Sequence, residues 1–181
     1  MILGITGMPG SGKGEVIKIL ENEGFLKVSM GDVIREEVKK RGIEQTPENF
    51  GKIMKEIREK YGEEIVAKKC AEKIEKHRER NIVIDGIRSL AECEFFKRTV
   101  KKLKIVAVHA SPETRYKRLV ERGREDDPKD WKTFYKRDMR ELSVGIGEVI
   151  ALSDVMIVNE GTIGELEREV KEKIRWLNEK L

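Results

Sequence analysis

The run Gly7-Met8-Pro9-Gly10-Ser11-Gly12-Lys13 has the residue types and the spacing of a loop that binds phosphate. Glycines let such a loop fold its backbone N–H groups around phosphate oxygens, and the start of a helix adds partial positive charge at the same point. Lys13 supplies a full positive charge for β- and γ-phosphates. An apolar stretch precedes the run and an amphipathic stretch follows it, so we place the run between a strand and a helix. A chance glycine-rich turn is the alternative, and the position of Lys13 disfavours it.

The two residues after Lys13 depart from the usual pattern of phosphate loops. The first position normally holds Ser or Thr, whose hydroxyl reaches Mg²⁺, whereas this chain has Gly14 and then Glu15. The Gly-Lys-Gly sequence resembles that of the adenylate kinase group, in which Thr usually comes next. Because the backbone forms the phosphate cradle, we expect the loop through Glu15 to bind ATP. Direct ligation of Mg²⁺ by this loop stays open.

A second segment with candidate binding residues is Ser29-Met30-Gly31-Asp32-Val33-Ile34-Arg35, where a predicted strand ends and a helix begins. Ligands of open parallel sheets bind beyond the carboxyl ends of the strands, which places this segment beside the phosphate loop. It resembles the Ser/Thr-Gly-Asp-x-Leu-Arg sequence of adenylate kinases and related nucleoside monophosphate kinases. The resemblance implies that Arg35 binds the phosphate of the acceptor and that Asp32 belongs to the same acceptor site. The alternative is an Arg35 on the helix surface, with Ser29 or Asp32 as a plain helix cap.

Asp85 ends a further apolar run, in Ile82-Val83-Ile84-Asp85-Gly86-Ile87-Arg88-Ser89. A carboxylate at the end of a strand, in a protein with a phosphate loop, is typically a group that organises Mg²⁺. The same nucleotide kinases have Asp-Gly-Phe/Tyr-Pro-Arg here, which implies that Arg88 holds the phosphoryl acceptor. Ile87 stands where those kinases have Pro, and one residue fewer precedes the arginine. Without the phosphate loop, Asp85 would be interpreted as a cap at the end of a strand.

Arginines are concentrated between residues 115 and 140. Arg124-Glu125-Asp126-Asp127, followed by Arg137, resembles the Arg-x-Asp-Asp…Arg pattern in the closing flap of adenylate kinases. The resemblance implies a lid of about residues 115–145 whose arginines stabilise charge on the transferred phosphoryl group. The arginines from which the lid would draw are Arg118, Arg122, Arg124 and Arg137. The last two, together with Lys13 and Arg88, are the predicted catalytic residues. The alternative is an exposed helix on which neighbouring carboxylates pair with the arginines: Glu113, Glu121, Asp138 and Glu141.

The segment Ser153-Asp154-Val155-Met156-Ile157-Val158-Asn159-Glu160-Gly161-Thr162 resembles the Ala-Asp-x-x-Ile-x-Asn-x-Gly stretch of dephospho-coenzyme A kinases. In those kinases the loop after the strand borders the adenine, which implies contact with the base through backbone groups here. The segment contains no Asn-Lys-x-Asp guanine signature, and this argues against a GTPase.

The elements that must position these residues form an α/β pattern. Five continuous apolar runs are typical of strands that are covered on both faces of a parallel sheet: Ile2–Thr6, Phe25–Val28, Ile82–Ile84, Lys104–Val108 and Val155–Val158. Helical segments separate them, and Thr46-Pro47-Glu48, Ser111-Pro112-Glu113 and a capping box of Thr162 with Glu165 mark helix starts. We expect one domain over residues 1–181, with an acceptor-binding sub-region at about 30–80.

Composition limits the class of protein without naming an activity. Charged residues make up 40% of the chain, and Gln45 is the single glutamine, a bias typical of proteins from heat-adapted organisms. The net charge of +4 suits a phosphate-bearing ligand; nucleic-acid binding is compatible with it but not favoured, because acidic residues are interspersed throughout. With neither a signal peptide nor an apolar run of membrane-spanning length, we expect a cytoplasmic protein without membrane contact.

The resemblance spans nearly the whole chain and is close to an archaeal P-loop family related to adenylate and dephospho-coenzyme A kinases. It implies the P-loop NTPase fold: three α/β/α layers around a five-stranded parallel sheet in the order 2-3-1-4-5, with helical sub-regions for the acceptor and the lid. The implied function is transfer of the γ-phosphoryl group of ATP, with Mg²⁺, to a nucleoside monophosphate or a dephospho-coenzyme A-like acceptor. Two other functions stay open: an ATP-driven switch or assembly factor that acts on RNA or protein, and a regulatory module that only binds nucleotide. The sequence does not indicate an oligomeric state.

Overall fold

The computed structural model of the chain describes residues 1–124 and 127–179, with Pro47 described in its backbone alone. Its strands are β1 (Ile2–Thr6), β2 (Leu26–Ser29), β3 (Ile82–Asp85), β4 (Leu103–His109) and β5 (Val155–Val158). Within the described residues these five strands form one sheet in the order β2-β3-β1-β4-β5, and every neighbouring pair is parallel. The order and the orientation confirm the predicted fold class.

Helices occupy the intervals between the strands and follow the last strand. Their bounds are α1 (Lys13–Asn22), α2 (Met30–Lys40), α3 (Pro47–Tyr61), α4 (Ile65–Glu75), α5 (Leu90–Thr99), α6 (Pro112–Arg122), α7 (Trp131–Ser143), α8 (Ile146–Ala151) and α9 (Ile163–Glu179). Along the described parts of the chain, none of these helices has the length and apolar character needed to cross a membrane. The interval expected for the acceptor sub-region contains α2, α3 and α4, and the interval expected for the lid contains most of α6 and all of α7.

Side-chain caps start several of these helices where the sequence predicts them. The Thr46 side chain accepts a hydrogen bond from the N–H of Asn49 at 3.2 Å, at the start of α3. Thr162 and Glu165 form the predicted capping box, since each side chain accepts a hydrogen bond from the backbone N–H of the other residue. These caps fix where α3 and α9 begin.

Two apolar clusters cover the two faces of the sheet and produce the three layers. One cluster packs α2, α3, α4, α5 and α8 against the sheet through residues that include Val38, Ile57, Cys70, Phe96 and Val149. The other packs α1 and α9 against the opposite face through residues that include Val16, Leu20, Leu166, Val170 and Leu177. Burial on both faces accounts for the continuous apolar runs of the inner strands.

The register of the strands brings the predicted functional segments to one edge of the sheet. Ile5 of β1 and Ser29 of β2 are both in register with Asp85 of β3, so these three strands end at the same level. The chain enters the phosphate loop directly after β1, and α2 follows directly after β2. This edge is the carboxyl end of a parallel sheet, where ligands of such folds bind.

Strand β5 differs from the continuous burial that its apolar run predicts. Val155 and Ile157 are buried, whereas Met156 and Val158 are exposed. The reason is its place at the end of the sheet, where α9 packs against it and helps cover one face while the other face is open. The strand bounds shift slightly as well: β2 begins after Phe25, which packs with the cluster around α1 instead.

Candidate functional site

The phosphate loop connects β1 to α1 and depends on glycine at three positions. Gly7, Gly10 and Gly12 have φ angles of 147°, 81° and 97°, a region that residues with a side chain rarely adopt. A Cβ on Gly10 would lie 2.7 Å from the carbonyl oxygen of Arg115, and one on Gly7 or Gly12 would clash with Val108 or Asn159. The glycines therefore provide both the curvature of the loop and its close contact with neighbouring segments.

The loop presents hydrogen-bond donors that the rest of the described chain does not use. Turn hydrogen bonds run from the Ser11 N–H to the Met8 carbonyl and from the Glu15 N–H to the Gly12 carbonyl, at 3.1 and 3.0 Å. Among the described residues, the N–H groups of Gly12, Lys13 and Gly14 have no acceptor. The buried Ser11 hydroxyl also lacks a partner there. Unused donors at a helix N-terminus fit the oxygens of a polyphosphate.

Lys13 lies at the start of α1 with its ammonium turned back over the loop. Its Nζ donates to the carbonyl oxygens of Gly7 and Met8 at 2.6 and 3.1 Å. Burial lowers the pKa of Lys13 from 10.5 to about 8; Arg88 lowers it further, while the carboxylates of Asp85 and Glu141 raise it. These charges place the phosphate loop, the end of β3 and helix α7 in one site.

Asp85, at the end of β3, is the carboxylate predicted to bind Mg²⁺, and its charge acts on Lys13. Its Oδ2 lies 3.3 Å from Nζ of Lys27, and its side chain is partly exposed. No cluster of three His, Cys, Asp or Glu side chains suited to a metal occurs in the described parts of the chain. Mg²⁺ commonly binds through one or two carboxylates together with substrate phosphates and water, so a single well-placed Asp85 is compatible with that ion.

Of the two arginines predicted to bind the acceptor, Arg88 lies close to the phosphate loop. Its guanidinium Nη1 is 3.6 Å from Oε2 of Glu141, and its charge acts on Lys13. Arg35 instead forms an exposed ion pair with Asp32, one turn earlier on α2. The structure thus brings Arg88 to the phosphate loop and leaves Arg35 and Asp32 paired with each other.

The loop that carries Arg88 is held by a buried carboxylate. Glu92 is 1% exposed, and its Oε2 accepts the N–H groups of Arg88 and Ser89 at 3.0 and 3.3 Å. Its other oxygen accepts from Arg58 of α3 at 2.7 Å. The backbone position of Arg88 is therefore tied to a helix of the expected acceptor sub-region. Glu92 is not among the residues predicted from the sequence, although the Ser-x-x-Glu spacing from Ser89 to Glu92 is that of a capping box.

Arg115 joins the phosphate loop to helix α7. Its guanidinium forms two hydrogen bonds to the carboxylate of Asp138, at 2.8 and 2.6 Å, and a third to the Pro9 carbonyl at 3.2 Å. Arg115 is 4% exposed, and its charge also lies over the ring of Phe134. In the sequence, Arg115 shares a helical spacing with Arg118 and Arg122, but this spacing does not reveal the contact with the loop, because tertiary packing sets that contact.

The remaining arginines of the predicted lid have mixed environments. Arg122 binds the buried carboxylate of Asp127 at 2.8 and 2.5 Å, and Arg137 binds the same carboxylate at 3.2 Å. These pairs lower the pKa of Asp127 to about 2, chiefly through Arg122. The other two arginines of the prediction are Arg118, which donates to Asn159, and the exposed Arg124. Glu125 and Asp126 of the predicted lid motif lie outside the described residues.

The sheet order and the glycine-rich loop between β1 and α1 define a P-loop protein with a kinase-like fold. Residues 6–134 match the family model described as "AAA domain". The chain belongs to this family and also to the UPF0200 proteins: it is 47% identical to the UPF0200 protein of Thermococcus onnurineus over 178 residues, with 96% of each chain covered. It is also 44% identical to the UPF0200 protein of Methanothermobacter thermautotrophicus, with 99% of this chain and 92% of the relative covered.

Solved structures share the fold at low sequence identity. Shikimate kinase from Bacteroides thetaiotaomicron superimposes with a TM-score of 0.62 at 14% identity, and 98% of each chain is covered. A gluconokinase from Sinorhizobium meliloti superimposes with a TM-score of 0.58 at 17% identity, covering 98% of this chain and 93% of that one. These similarities confirm the predicted P-loop kinase-like architecture.

Proposed function

We propose that the protein is an ATP-dependent kinase that transfers the γ-phosphoryl group to a small acceptor, either a nucleoside monophosphate or a dephospho-coenzyme A-like alcohol. The observation that carries the proposal is the phosphate loop, with its unused N–H donors and with Lys13 in the field of Arg88 and Asp85. A loop with these donors binds a polyphosphate, and the nearby Arg88 can hold the group that receives phosphate.

The proposed roles follow from where the side chains lie. The loop from Gly7 to Glu15 and the Lys13 ammonium bind the phosphates of ATP, and Arg88 orients the acceptor toward the γ-phosphorus. We also assign Arg35 to the acceptor side. Exchange of its exposed partner, the Asp32 carboxylate, for an acceptor phosphate is inexpensive, because exposed ion pairs contribute about 0–1 kcal/mol. Positioning of two reactants can supply about 7–11 kcal/mol of the barrier, so the reaction requires no dedicated general base.

Asp85 is the residue that we propose to hold Mg²⁺, through water. The ion would neutralise charge on the β- and γ-phosphates. Gly14 offers no hydroxyl to the ion. Without a hydroxyl ligand at this position, the phosphates and water would complete the coordination of Mg²⁺.

The proposed role of the lid arginines is to stabilise charge on the transferred phosphoryl group. In the structure Arg122 and Arg137 bind Asp127, and Arg118 binds Asn159. For Arg137 to contact the transferred phosphoryl group, its guanidinium must leave the Asp127 carboxylate. Lids of nucleotide kinases close over the phosphates and exclude water, and we propose such a closure for Arg124 and Arg137.

The test is release of ADP from ATP and Mg²⁺ with a panel of acceptors: nucleoside monophosphates, dephospho-coenzyme A and simple alcohols. One class of acceptor should stimulate ADP release in step with its own phosphorylation. Lys13→Ala should abolish turnover while leaving the fold intact, as judged by circular dichroism. Unchanged ATP consumption by Lys13→Ala would remove the kinase assignment.

An ATP-driven switch or assembly factor that acts on RNA or protein is the second candidate. The observation in its favour is Gly14, which lacks the usual metal-binding hydroxyl, together with the lack, in the described parts of the chain, of a cluster of three side chains suited to a metal. A switch would hydrolyse ATP slowly without any acceptor of the panel, and its affinity for a partner would differ between the ATP and ADP states. A kinase would show acceptor-dependent turnover instead.

A further inference from the structure

We propose that Asn159 is a positioning residue that aims the backbone of the phosphate loop at the polyphosphate, and that Arg118 serves to hold Asn159 in place. This proposal rests on the proposed function, because it assumes that the loop binds ATP. It assigns to the turn after β5 a role toward phosphate, in addition to any backbone contact with the base.

Asn159 is buried between the end of β5 and the phosphate loop. It is 5% exposed, and its Nδ2 donates to the Ser11 carbonyl oxygen at 2.9 Å. Its own backbone N–H donates to the His109 carbonyl at 2.7 Å, which fixes the residue to the end of β4. The Asn159 side chain occupies the space that a Cβ on Gly12 would need. The Asn159 side chain thus packs directly against the phosphate loop and connects it to the turn after β5.

Arg118 orients the amide of Asn159. Its Nη1 donates to the Asn159 backbone carbonyl at 2.9 Å, and its Nη2 lies 3.4 Å from Oδ1 of the same residue. A guanidinium only donates, so the amide atom that faces it must be the oxygen. The Nδ2 group then points at Ser11, whose carbonyl oxygen only accepts. Both contacts agree on one orientation of the side chain, and Arg118 makes the opposite orientation unfavourable.

The hydrogen bond to Ser11 sets the direction of a phosphate donor. The Ser11 carbonyl and the Gly12 N–H belong to the same planar trans peptide, in which C=O and N–H point in opposite directions. A hydrogen bond that holds the carbonyl toward Asn159 therefore turns the Gly12 N–H away from it. That N–H has no acceptor among the described residues. Gly12 has a φ of 97°, and a glycine backbone is flexible. A contact from outside the loop therefore has a large effect on the orientation of this peptide.

The experiment measures calorimetric binding of two probes, ATP and inorganic tripolyphosphate, to the wild-type protein and to Asn159→Ala and Asn159→Asp. Asn159→Ala leaves the buried Ser11 carbonyl without a donor, a loss that corresponds to on the order of tenfold in affinity. Asn159→Asp keeps the acceptor for Arg118 but replaces the donor by an oxygen. Both variants should weaken ATP and tripolyphosphate by the same factor, because the lost contact acts on the phosphate loop.

Two controls separate positioning from a structural role. Asn22→Ala changes an exposed asparagine at the opposite end of α1 and should leave both affinities unchanged. The calorimetric stoichiometry reports the folded fraction; a merely structural role would lower that fraction without changing the dissociation constant of the remainder. Arg118→Ala should weaken the binding of both probes less than Asn159→Ala does, because it retains the donor to Ser11.

Each other outcome has a definite meaning. Equal affinities of Asn159→Ala and the wild type for both probes overturn the positioning role and leave the kinase proposal intact. Loss of affinity for ATP alone, with tripolyphosphate unchanged, assigns Asn159 to the base and also overturns the proposal. If the wild type binds neither probe, the proposed function fails, and this inference fails with it.

Discussion

Lys13 combines a role in phosphate binding with a reduced affinity for its own proton. Burial lowers its pKa to about 8, and the nearby guanidinium of Arg88 acts in the same direction. The ammonium is the form that binds phosphate, so at pH values above 8 part of the protein must take up a proton before it binds ATP. The same shift affects folding. Between pH 8 and 10.5, Lys13 binds more protons in the unfolded chain than in the folded protein. The free energy of unfolding of the ligand-free protein therefore increases as the pH rises through that window.

From this shift we predict that the affinity for ATP falls as the pH rises above about 8, approaching tenfold per pH unit, and that binding there is accompanied by proton uptake. Calorimetric titrations in buffers of different ionisation enthalpy measure that uptake directly. Lys13→Arg is the matched variant, because its guanidinium stays charged throughout this range and should remove the pH dependence. A wild-type affinity that is flat from pH 7 to 10 would contradict the assignment.

The residue types of the site were predictable, whereas the pairing of its charges was not. Asp85 and Arg88 are marked by their position after an apolar run, and the register of β1 with β3 brings them to the phosphate loop. Spacing along a helix could not show that Arg122 and Arg137 share one buried carboxylate of Asp127. That choice depends on the path of the chain between α6 and α7, and local sequence does not encode such tertiary contacts.

Helix α7 connects the segments that surround the site. Its N-cap Asp130 is exposed and accepts the N–H of Thr133 at 2.7 Å. Asp138, two turns later, binds the buried Arg115 beneath the phosphate loop, and Glu141 lies beside Arg88 after a further turn. Because Asp138 and Glu141 are three residues apart, they lie on the same face of the helix. One face of α7 therefore places a carboxylate beside each of the two guanidinium groups, those of Arg115 and Arg88.

Two aspartates of α7 give a graded prediction for stability. Asp138→Ala leaves the buried guanidinium of Arg115 without a carboxylate and should lower the free energy of unfolding by about 3–5 kcal/mol. Asp130→Ala removes an exposed helix cap and should cost about 1 kcal/mol. Urea unfolding followed by circular dichroism measures both. The outcome that contradicts this ranking is an equal cost for the two substitutions.

Asp138→Ala should also weaken the binding of ATP, whereas Asp130→Ala should not. Asp138 accepts a hydrogen bond from Nη1 of Arg115, the same atom that donates to the Pro9 carbonyl, so loss of Asp138 should loosen the contact with the loop. Calorimetric titration of the folded fraction gives the comparison. An ATP affinity of Asp138→Ala equal to that of Asp130→Ala would show that α7 supports the fold without reaching the loop.

Element boundaries followed from local chemistry, and burial followed from position in the sheet. Proline and capping residues mark the starts of α3, α6 and α9 in the sequence, and the structure begins these helices there. The apolar run of β5 predicts burial on both faces, but the strand lies at the edge of the sheet, where Met156 and Val158 are exposed. A run of apolar residues cannot indicate whether a strand is central or peripheral, because both can be uniformly apolar.

The order of the strands is a property of the whole molecule, and periodicity alone does not specify it. Repeated βαβ units require parallel strands, but they are compatible with several orders. The order 2-3-1-4-5 was expected from the resemblance of the motifs to P-loop kinases, and the structure has that order. It places β1 and its phosphate loop at the centre of the sheet, between β3 with Asp85 on one side and β4 on the other.

A central phosphate loop predicts that ligand binding stabilises the whole chain. Ligand that binds the folded state alone contributes about 2.7 kcal/mol at a concentration 100 times its dissociation constant. For a chain of this size, 1 kcal/mol shifts the unfolding midpoint by about 2–4 °C, so ATP should raise that midpoint by roughly 5–10 °C.

Thermal unfolding followed by circular dichroism, with and without ATP and Mg²⁺, measures the shift. Lys13→Ala at the same ATP concentration should lose most of it, because the β- and γ-phosphates lose their cation. Adenosine serves as the matched ligand without phosphates and should give a much smaller shift. A shift of equal size with adenosine would mean that the base, and not the phosphate loop at the centre of the sheet, provides the stabilising contacts.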